Sequence, residues 1–217
     1  MTLALFDLDN TLLGGDSDHL WGEFLVSRGI VDRTTYETAN NRFYQQYREG
    51  TLDIDEFLRF SLAVLSRHPL PQLEEWRAQY MEEFIEPIIL PKAQALVAKH
   101  RAAGDTLIII TATNNFVTAP IAARYGVPHL IATEAEMING CYSGRVAGTP
   151  CFQKGKIVRL EAWLAAHQQS WQESYFYSDS HNDLPLLQRV DHPVVINGDS
   201  QLTAFAERAG WPAFSLR

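Results

Sequence analysis

Leu3-Ala4-Leu5-Phe6-Asp7-Leu8-Asp9-Asn10-Thr11-Leu12-Leu13 sets an apolar run directly before two carboxylates one residue apart. A short continuous apolar run reads as a strand buried on both faces, the signature of a parallel sheet. Asp7 and Asp9 then fall at the C-terminal end of that strand, where open α/β sheets place their ligands. Two like charges this close raise each other's cost unless a cation or a shared proton offsets them. The structural alternative is a strand running into an Asx-type turn.

Outward from this stretch, the chain alternates. Gly14-Gly15 reads as a hinge or tight turn, and Asp16, Ser17 and Asp18 are all candidate helix N-caps. Leu20, Trp21, Phe24 and Leu25 then recur at helical spacing. From Asp32 to about Glu86 only helical signals occur. Tyr36, Phe43, Tyr44 and Tyr47 mark one stretch, Phe57, Leu58, Val64 and Leu65 another, and Trp76, Tyr80 and Phe84 a third. These aromatic stripes read as the core of a helical bundle rather than as a cofactor box. A helical block between two strands looks like an insertion over the end of a sheet.

From Pro91 the pattern returns to helix and strand in turn. A helix opening at Pro91 leads into the apolar strand Thr106–Ile110, which ends in Thr111-Ala-Thr113-Asn-Asn115. A helix from Pro120 to Tyr125 and a short strand at Leu130-Ile131 follow. Asn139-Gly140 is a hairpin signal. Gln153-Lys154-Gly155-Lys156 opens a further helix, Tyr175-Phe-Tyr177 is a strand ending in Ser178-Asp179-Ser180-His181-Asn182-Asp183, and Pro193–Ile196 is a last strand. The alternation predicts an α/β doubly wound parallel sheet.

Composition narrows the function classes. The chain has 217 residues, enough for one core with an insertion, and a net charge of -8 without a basic block. That disfavours nucleic acid and anionic membrane surfaces as partners. No apolar run approaches the ~20 residues of a bilayer span. The N-terminus enters strand sequence directly, so no signal peptide is expected. Cys141 and Cys151 lack the number for a disulfide scaffold and the spacing for zinc, and reduced thiols in a cytoplasmic protein are expected.

The strand ends carry coherent chemistry. In a parallel sheet, Asp7, Asp9, Thr111, Asp179 and Asp183 share one edge, and a helix start adds Lys154 and Lys156. Three or four carboxylates make a hard oxygen site for Mg²⁺. A hydroxyl and an ammonium suit phosphate oxygens, and a free carboxylate can attack phosphorus.

These motifs, in this order, resemble those of the haloacid dehalogenase superfamily of phosphohydrolases. The helical block between the first two motifs is similar to the four-helix-bundle cap of the subclass whose best-known member is phosphoserine phosphatase. The resemblance implies a Rossmann-like catalytic core at 1–13 and 88–217, a cap at 14–87, and hinges near Leu12–Gly15 and Glu86–Pro91. It implies Asp7 as nucleophile and Asp9 as general acid and then base, with Thr111 on a phosphoryl oxygen. Lys154 or Lys156 would neutralise charge. Mg²⁺ would be held by Asp7, Asp9 through its backbone carbonyl, Asp179 and Asp183, the last through water or a neighbouring contact. Asn182 would steady the phosphate.

Two features bear on the substrate. Asp16 falls where phosphoserine phosphatases carry the carboxylate that meets the substrate amine, although a plain N-cap explains it equally. Their carboxylate-binding arginine aligns with Ser61 when Gly50 is matched, and nearby Arg59 lies on the wrong helical face. The resemblance then implies a small phosphomonoester with an amine and no carboxylate, such as histidinol phosphate. The alternatives are a phosphoserine phosphatase, a phosphotransferase, and a non-catalytic regulatory protein on the same fold. His19 and His181 are read as structural or exposed, and Trp21 and Phe24 as packing in the cap.

Overall fold

The computed structural model describes residues 2–217. Its strands are β1 (Leu3–Phe6), β2 (Thr106–Asn114), β3 (His129–Thr133), β4 (Ala135–Ile138), β5 (Cys141–Val146), β6 (Ser174–Ser178), β7 (His192–Ile196) and β8 (Ala213–Phe214). Six of them form one sheet in the order β3-β2-β1-β6-β7-β8, with every pairing parallel. From β1 the chain first builds outward through β2 and β3. It then returns to place β6 on the other side of β1. This reversal makes the boundary between β1 and β6 the topological switch point, where a doubly wound sheet opens its ligand crevice.

Alternation along each strand feeds two cores. Leu3, Leu5, Ile108, Ile110 and Phe176 pack on one face, and Ala4, Phe6, Leu107, Ile109 and Tyr177 on the other. Helices cover both faces, which is why β1 is apolar at every position. Phe6 stacks on Tyr177 with ring centroids 5.2 Å apart and meets His100 edge-on.

The helices are α1 (Ser17–Ser27), α2 (Arg33–Glu49), α3 (Ile54–Ala63), α4 (Leu70–Tyr80), α5 (Pro91–Ala102), α6 (Asn115–Tyr125), α7 (Lys154–His167), α8 (Leu184–Leu187) and α9 (Ser200–Ala209). Asp16, Asp32 and Asp53 cap α1, α2 and α3, each side chain accepting a backbone N–H of its first turn. The segment from α1 to Ile88 is helical and lies between β1 and α5, as the sequence pattern predicts. Trp21 of α1 meets Tyr80 and Phe116 edge-on, and Tyr80 donates its hydroxyl to the Ser17 carbonyl at 2.7 Å. The chain leaves and re-enters the sheet region side by side. Leu13 bridges Ile89, and Gly14 N–H donates to the Ile88 carbonyl at 2.7 Å.

Three details differ from the sequence reading or extend it. Helix α6 begins at Asn115 rather than Pro120, because the Asn114 side chain caps it through the Val117 N–H. The hairpin turn falls at Asn139-Gly140, both with positive φ (51° and 80°), which joins β4 to β5 outside the main sheet. Strand β8 carries no apolar run, and its two residues pair only with β7. Cys141 is exposed and Cys151 buried, both as free thiols. Among the described residues, no helix is long and apolar enough to cross a membrane.

Candidate active site

The site grows from the end of β1. Asp7 N–H still bonds to the Tyr177 carbonyl of β6 at 2.9 Å, so the sheet holds its backbone. The chain then coils back, with Leu12 and Leu13 N–H both donating to the Leu8 carbonyl, and Asn10 takes the left-handed conformation at φ 56°. Asp7 and Asp9 are thereby fixed at the switch point, 3% and 8% exposed.

Asp7 is held on both oxygens. Lys156 Nζ donates to Oδ1 at 2.8 Å, and Thr11 Oγ1 lies 3.2 Å from Oδ2. Thr11 Oγ1 is also 3.3 Å from Asp179 Oδ1, so Asp7 and Asp179 face one hydroxyl that has a single proton to give. Lys156 donates a second time, to Asp183 Oδ2 at 2.7 Å, and Asp183 also accepts from Ser178 Oγ at 2.7 Å. Asp9 is engaged elsewhere. Its Oδ1 accepts Ser17 N–H at 2.6 Å and its Oδ2 accepts Thr113 Oγ1 at 2.8 Å.

The two lysines separate cleanly. Gln153 sits at φ 47° and ψ -119°, and a Cβ on Gly155 would lie 2.0 Å from the Pro150 carbonyl, so only glycine fits this entry to α7. The turn sends Lys156 inward, where it is 2% exposed, and leaves Lys154 in solvent.

Burial dominates the electrostatics. It pushes Asp7 up to about 7, with Asp183 and Asp9 adding to the rise and Lys156 opposing it. Asp9 is pushed up to about 7 by burial and by Asp16, and Asp16 up to about 6 by burial. Burial, Asp7 and Asp183 carry Asp179 well above the carboxylate range. Burial alone would lower Lys156, but Asp183 and Asp7 outweigh it and raise the ammonium's pKa.

The donor set suits a hard cation. Lys156 bonds Asp7 and Asp183 but not Asp179, so these three carboxylates carry two formal negative charges beyond the one cation, a costly arrangement without a further one. Among the described residues no three His, Cys, Asp or Glu side chains are gathered as a metal cluster. Mg²⁺ commonly takes only one or two carboxylates and keeps several waters. Asp7 and Asp179 across Thr11 supply two. The carboxylates of Asp9 and Asp183 are committed to other partners, so of the expected ligand set they are left a backbone or an indirect contact.

A half-open cavity of about 50 Å³ lies at this edge, with residues of the helical insertion in its lining. Asp7, Asp9, Asp16 and Asp18 line one side with Thr111, Ala112 and Thr113. Phe43, Tyr44, Tyr47, Leu52, Ile54 and Phe57 form an aromatic and apolar wall, and His19 and Asn40 complete the lining. Among the described residues, no lysine or arginine lines it. Asp16 fills both roles read from the sequence: it caps α1 through His19 N–H at 2.8 Å and it lines the cavity. Ser61 is buried in α3 and Arg59 exposed, and neither reaches the lining.

Asn182 corrects an expectation. Its amide donates to the Tyr47 carbonyl of α2 at 2.9 Å and accepts from Gln153 Nε2 at 3.1 Å, so it joins the insertion to the core instead of facing the cavity. His181 lies beside it under Gly50, bonded to Asp199 at 2.7 Å, and a Cβ on Gly50 would come within 2.5 Å of its Nε2. The aromatic stripe needs the same revision. Phe43 is buried in the helical layer as read, but it and Tyr44, Tyr47 and Phe57 also wall the cavity. Two site residues escaped the sequence reading. Thr113, which holds Asp9, was signalled by its two-residue spacing from Thr111 at a strand end. Asp18 had no signal beyond its place in a helix's first turn.

Comparison with known proteins gives this geometry its context. A family model described as haloacid dehalogenase-like hydrolase matches residues 4–188. A Neisseria meningitidis protein named histidinol-phosphatase is 44% identical over 219 residues, covering 99% of both chains. Phosphoserine phosphatase SerB1 of Mycobacterium tuberculosis is 30% identical, over 99% of this chain and 70% of that protein. A crystal structure of a protein of unknown function from Bordetella pertussis Tohama I superposes with a TM-score of 0.94 at 42% identity, covering all of both chains. A substrate-bound phosphoserine phosphatase complex superposes at 0.71 with 16% identity, over 94% of this chain and 89% of that one, a likeness of fold.

Proposed function

This chain belongs to the haloacid dehalogenase-like hydrolases, and we propose that it is a Mg²⁺-dependent phosphomonoesterase working through an aspartyl-phosphate on Asp7. Its substrate is a small phosphorylated metabolite with an amine and no carboxylate, such as histidinol phosphate. The observation that carries the substrate reading is the cavity lining: four carboxylates, an aromatic wall and no lysine or arginine. A substrate carboxylate there would lose its water without gaining a cationic partner. An ammonium would meet Asp16. The 44% identity to the Neisseria histidinol-phosphatase points the same way.

In the reaction, an Asp7 oxygen attacks phosphorus and the bond to the leaving oxygen breaks. Asp9, pushed up to about 7, carries the proton that the leaving oxygen takes. As a carboxylate it then removes a proton from the water that cleaves the aspartyl-phosphate, which restores Asp7 and releases phosphate. Thr111 donates to a phosphoryl oxygen, and Lys156 offsets charge on Asp7 throughout. Asp7, Asp179 and the Asp9 carbonyl would hold Mg²⁺, which when bound would supply charge neutralisation for the phosphoryl group. Residues 14–87 act as a cap that excludes bulk water over a core of 1–13 and 88–217.

The test is phosphate release from a panel of small phosphomonoesters with and without Mg²⁺. Release that disappears with a chelator and in Asp7→Asn supports the reading. Release that survives either treatment contradicts it.

A further inference from the structure

The peptide joining Asp9 to Asn10 carries an unclaimed carbonyl. Its N–H donates to the Gly15 carbonyl at 2.9 Å, which fixes the plane of the unit. The Asp9 oxygen, on the opposite edge of this trans peptide, accepts no hydrogen bond among the described residues, although the Leu8 and Asn10 oxygens on either side both do. A backbone oxygen without a donor, in a residue only 8% exposed, is a costly arrangement and a ready ligand for a hard cation.

Where that carbonyl points depends on Asn10, which is left-handed and pinned on three sides. Besides the N–H bond to Gly15, its carbonyl accepts Asn197 Nδ2 at 2.9 Å and its Oδ1 accepts Arg217 Nη2 at 3.1 Å. Asn197 follows β7 and is itself left-handed, at φ 51°. Its Oδ1 accepts Ser215 Oγ at 2.8 Å and Leu216 N–H at 3.2 Å. A backbone N–H can only donate, so the Leu216 bond settles which side of the amide is oxygen and leaves Nδ2 to face Asn10. One side chain thus ties the segment after β8 to the loop between Asp7 and Thr11, 187 residues away in sequence. Asn10, Asn197 and Arg217 line one polar groove together with Asp179.

We infer that Asn197, supported by Arg217, is a positioning residue for the metal: it holds Asn10 so that the Asp9 carbonyl stays available to Mg²⁺ beside Asp7 and Asp179. The inference rests on the phosphatase reading and deepens it. Neither residue touches the reacting atoms, and both act through the backbone of Asn10.

The test titrates Mg²⁺ into the full chain without substrate, by calorimetry, and then follows kcat on an aryl phosphate against Mg²⁺ concentration. Asn197→Gly removes the amide, and glycine adopts a φ of this sign without strain. It should raise the Kd for Mg²⁺ about 10- to 100-fold, the usual loss when a group that orients a metal ligand is removed. Saturating Mg²⁺ should then return kcat close to the wild-type value. Arg217→Ala, at an exposed position, should raise Kd in the same direction by less, and serves if Asn197→Gly fails to fold. A merely structural Asn197 would lower the melting temperature of the metal-free protein and leave Kd unchanged. An unchanged Kd in folded Asn197→Gly, or in Arg217→Ala where the first variant does not fold, overturns the inference and leaves the phosphatase reading intact. A wild type that binds no Mg²⁺ overturns the metal assignment together with it.

Discussion

Lys156 Nζ sits 2.8 Å from Asp7 Oδ1, joining a helix start to a strand end 149 residues away in sequence. The ammonium is almost fully buried and also bonds Asp183 at 2.7 Å, so one cation anchors both motifs to the switch point. Replacing Lys156 with Met strands two buried carboxylates and should cost about 3–5 kcal/mol of stability as well as activity. Lys154→Met, altering an exposed side chain, should leave both near wild type. Thermal melts and aryl-phosphate turnover on the two variants check this. Equal losses would refute the geometry.

Asp9→Asn should reduce turnover of alkyl phosphates by about 10²- to 10⁴-fold, because their leaving oxygen needs a proton. Asp9's raised pKa owes part of its rise to Asp16. Asp16→Asn should therefore move the basic limb of kcat/KM to lower pH for an alkyl ester that has no amine. A pH–rate series on the two variants reads both effects, and a limb that stays in place would contradict the coupling.

The acid edge also sets a pH dependence of stability. Asp7 and Asp9 rise to about 7, and Asp16 to about 6, from an ordinary value of 3.8. Acids raised on folding stabilise fully below their unfolded pKa, and that contribution is lost as pH climbs through the folded one. Metal-free protein should thus lose Tm between about pH 4 and pH 7, and Mg²⁺ should restore most of the loss. A metal-free Tm that is flat or rises across this window would count against the charge balance.

Asn182 ties α2 to the core through the Tyr47 carbonyl. Asn182→Ala should weaken that closure by about 1–3 kcal/mol, since a buried carbonyl loses its donor. Hydrogen exchange should quicken at the C-terminal end of α2, with KM rising more than kcat falls. Unchanged exchange there would show that the contact does not hold the helix down.

The strands and the acid motifs were legible because each depends on local pattern. Leu3–Phe6 is apolar at every position, and Asp7 and Asp9 follow it whatever the tertiary detail. The choice between Lys154 and Lys156 was not legible, since it depends on the unusual backbone of Gln153 and on the packing of Gly155 against Pro150. Asn182 was read by its motif, but its partner is a carbonyl 135 residues away that no local pattern announces. The dual use of Phe43 and Tyr44 was hidden for a similar reason. A helical stripe shows that a face is covered, without telling whether protein or a cavity covers it.

The absence of a cation from the cavity lining is the central claim about substrate choice, and a head-to-head measurement tests it most directly. At saturating Mg²⁺, kcat/KM would be determined for histidinol phosphate and for phosphoserine. The cavity predicts a preference for histidinol phosphate of about 100-fold or more, the worth of an unpaired buried carboxylate. A preference for phosphoserine would mean that a cation such as Arg59 reaches the substrate, and would contradict the account.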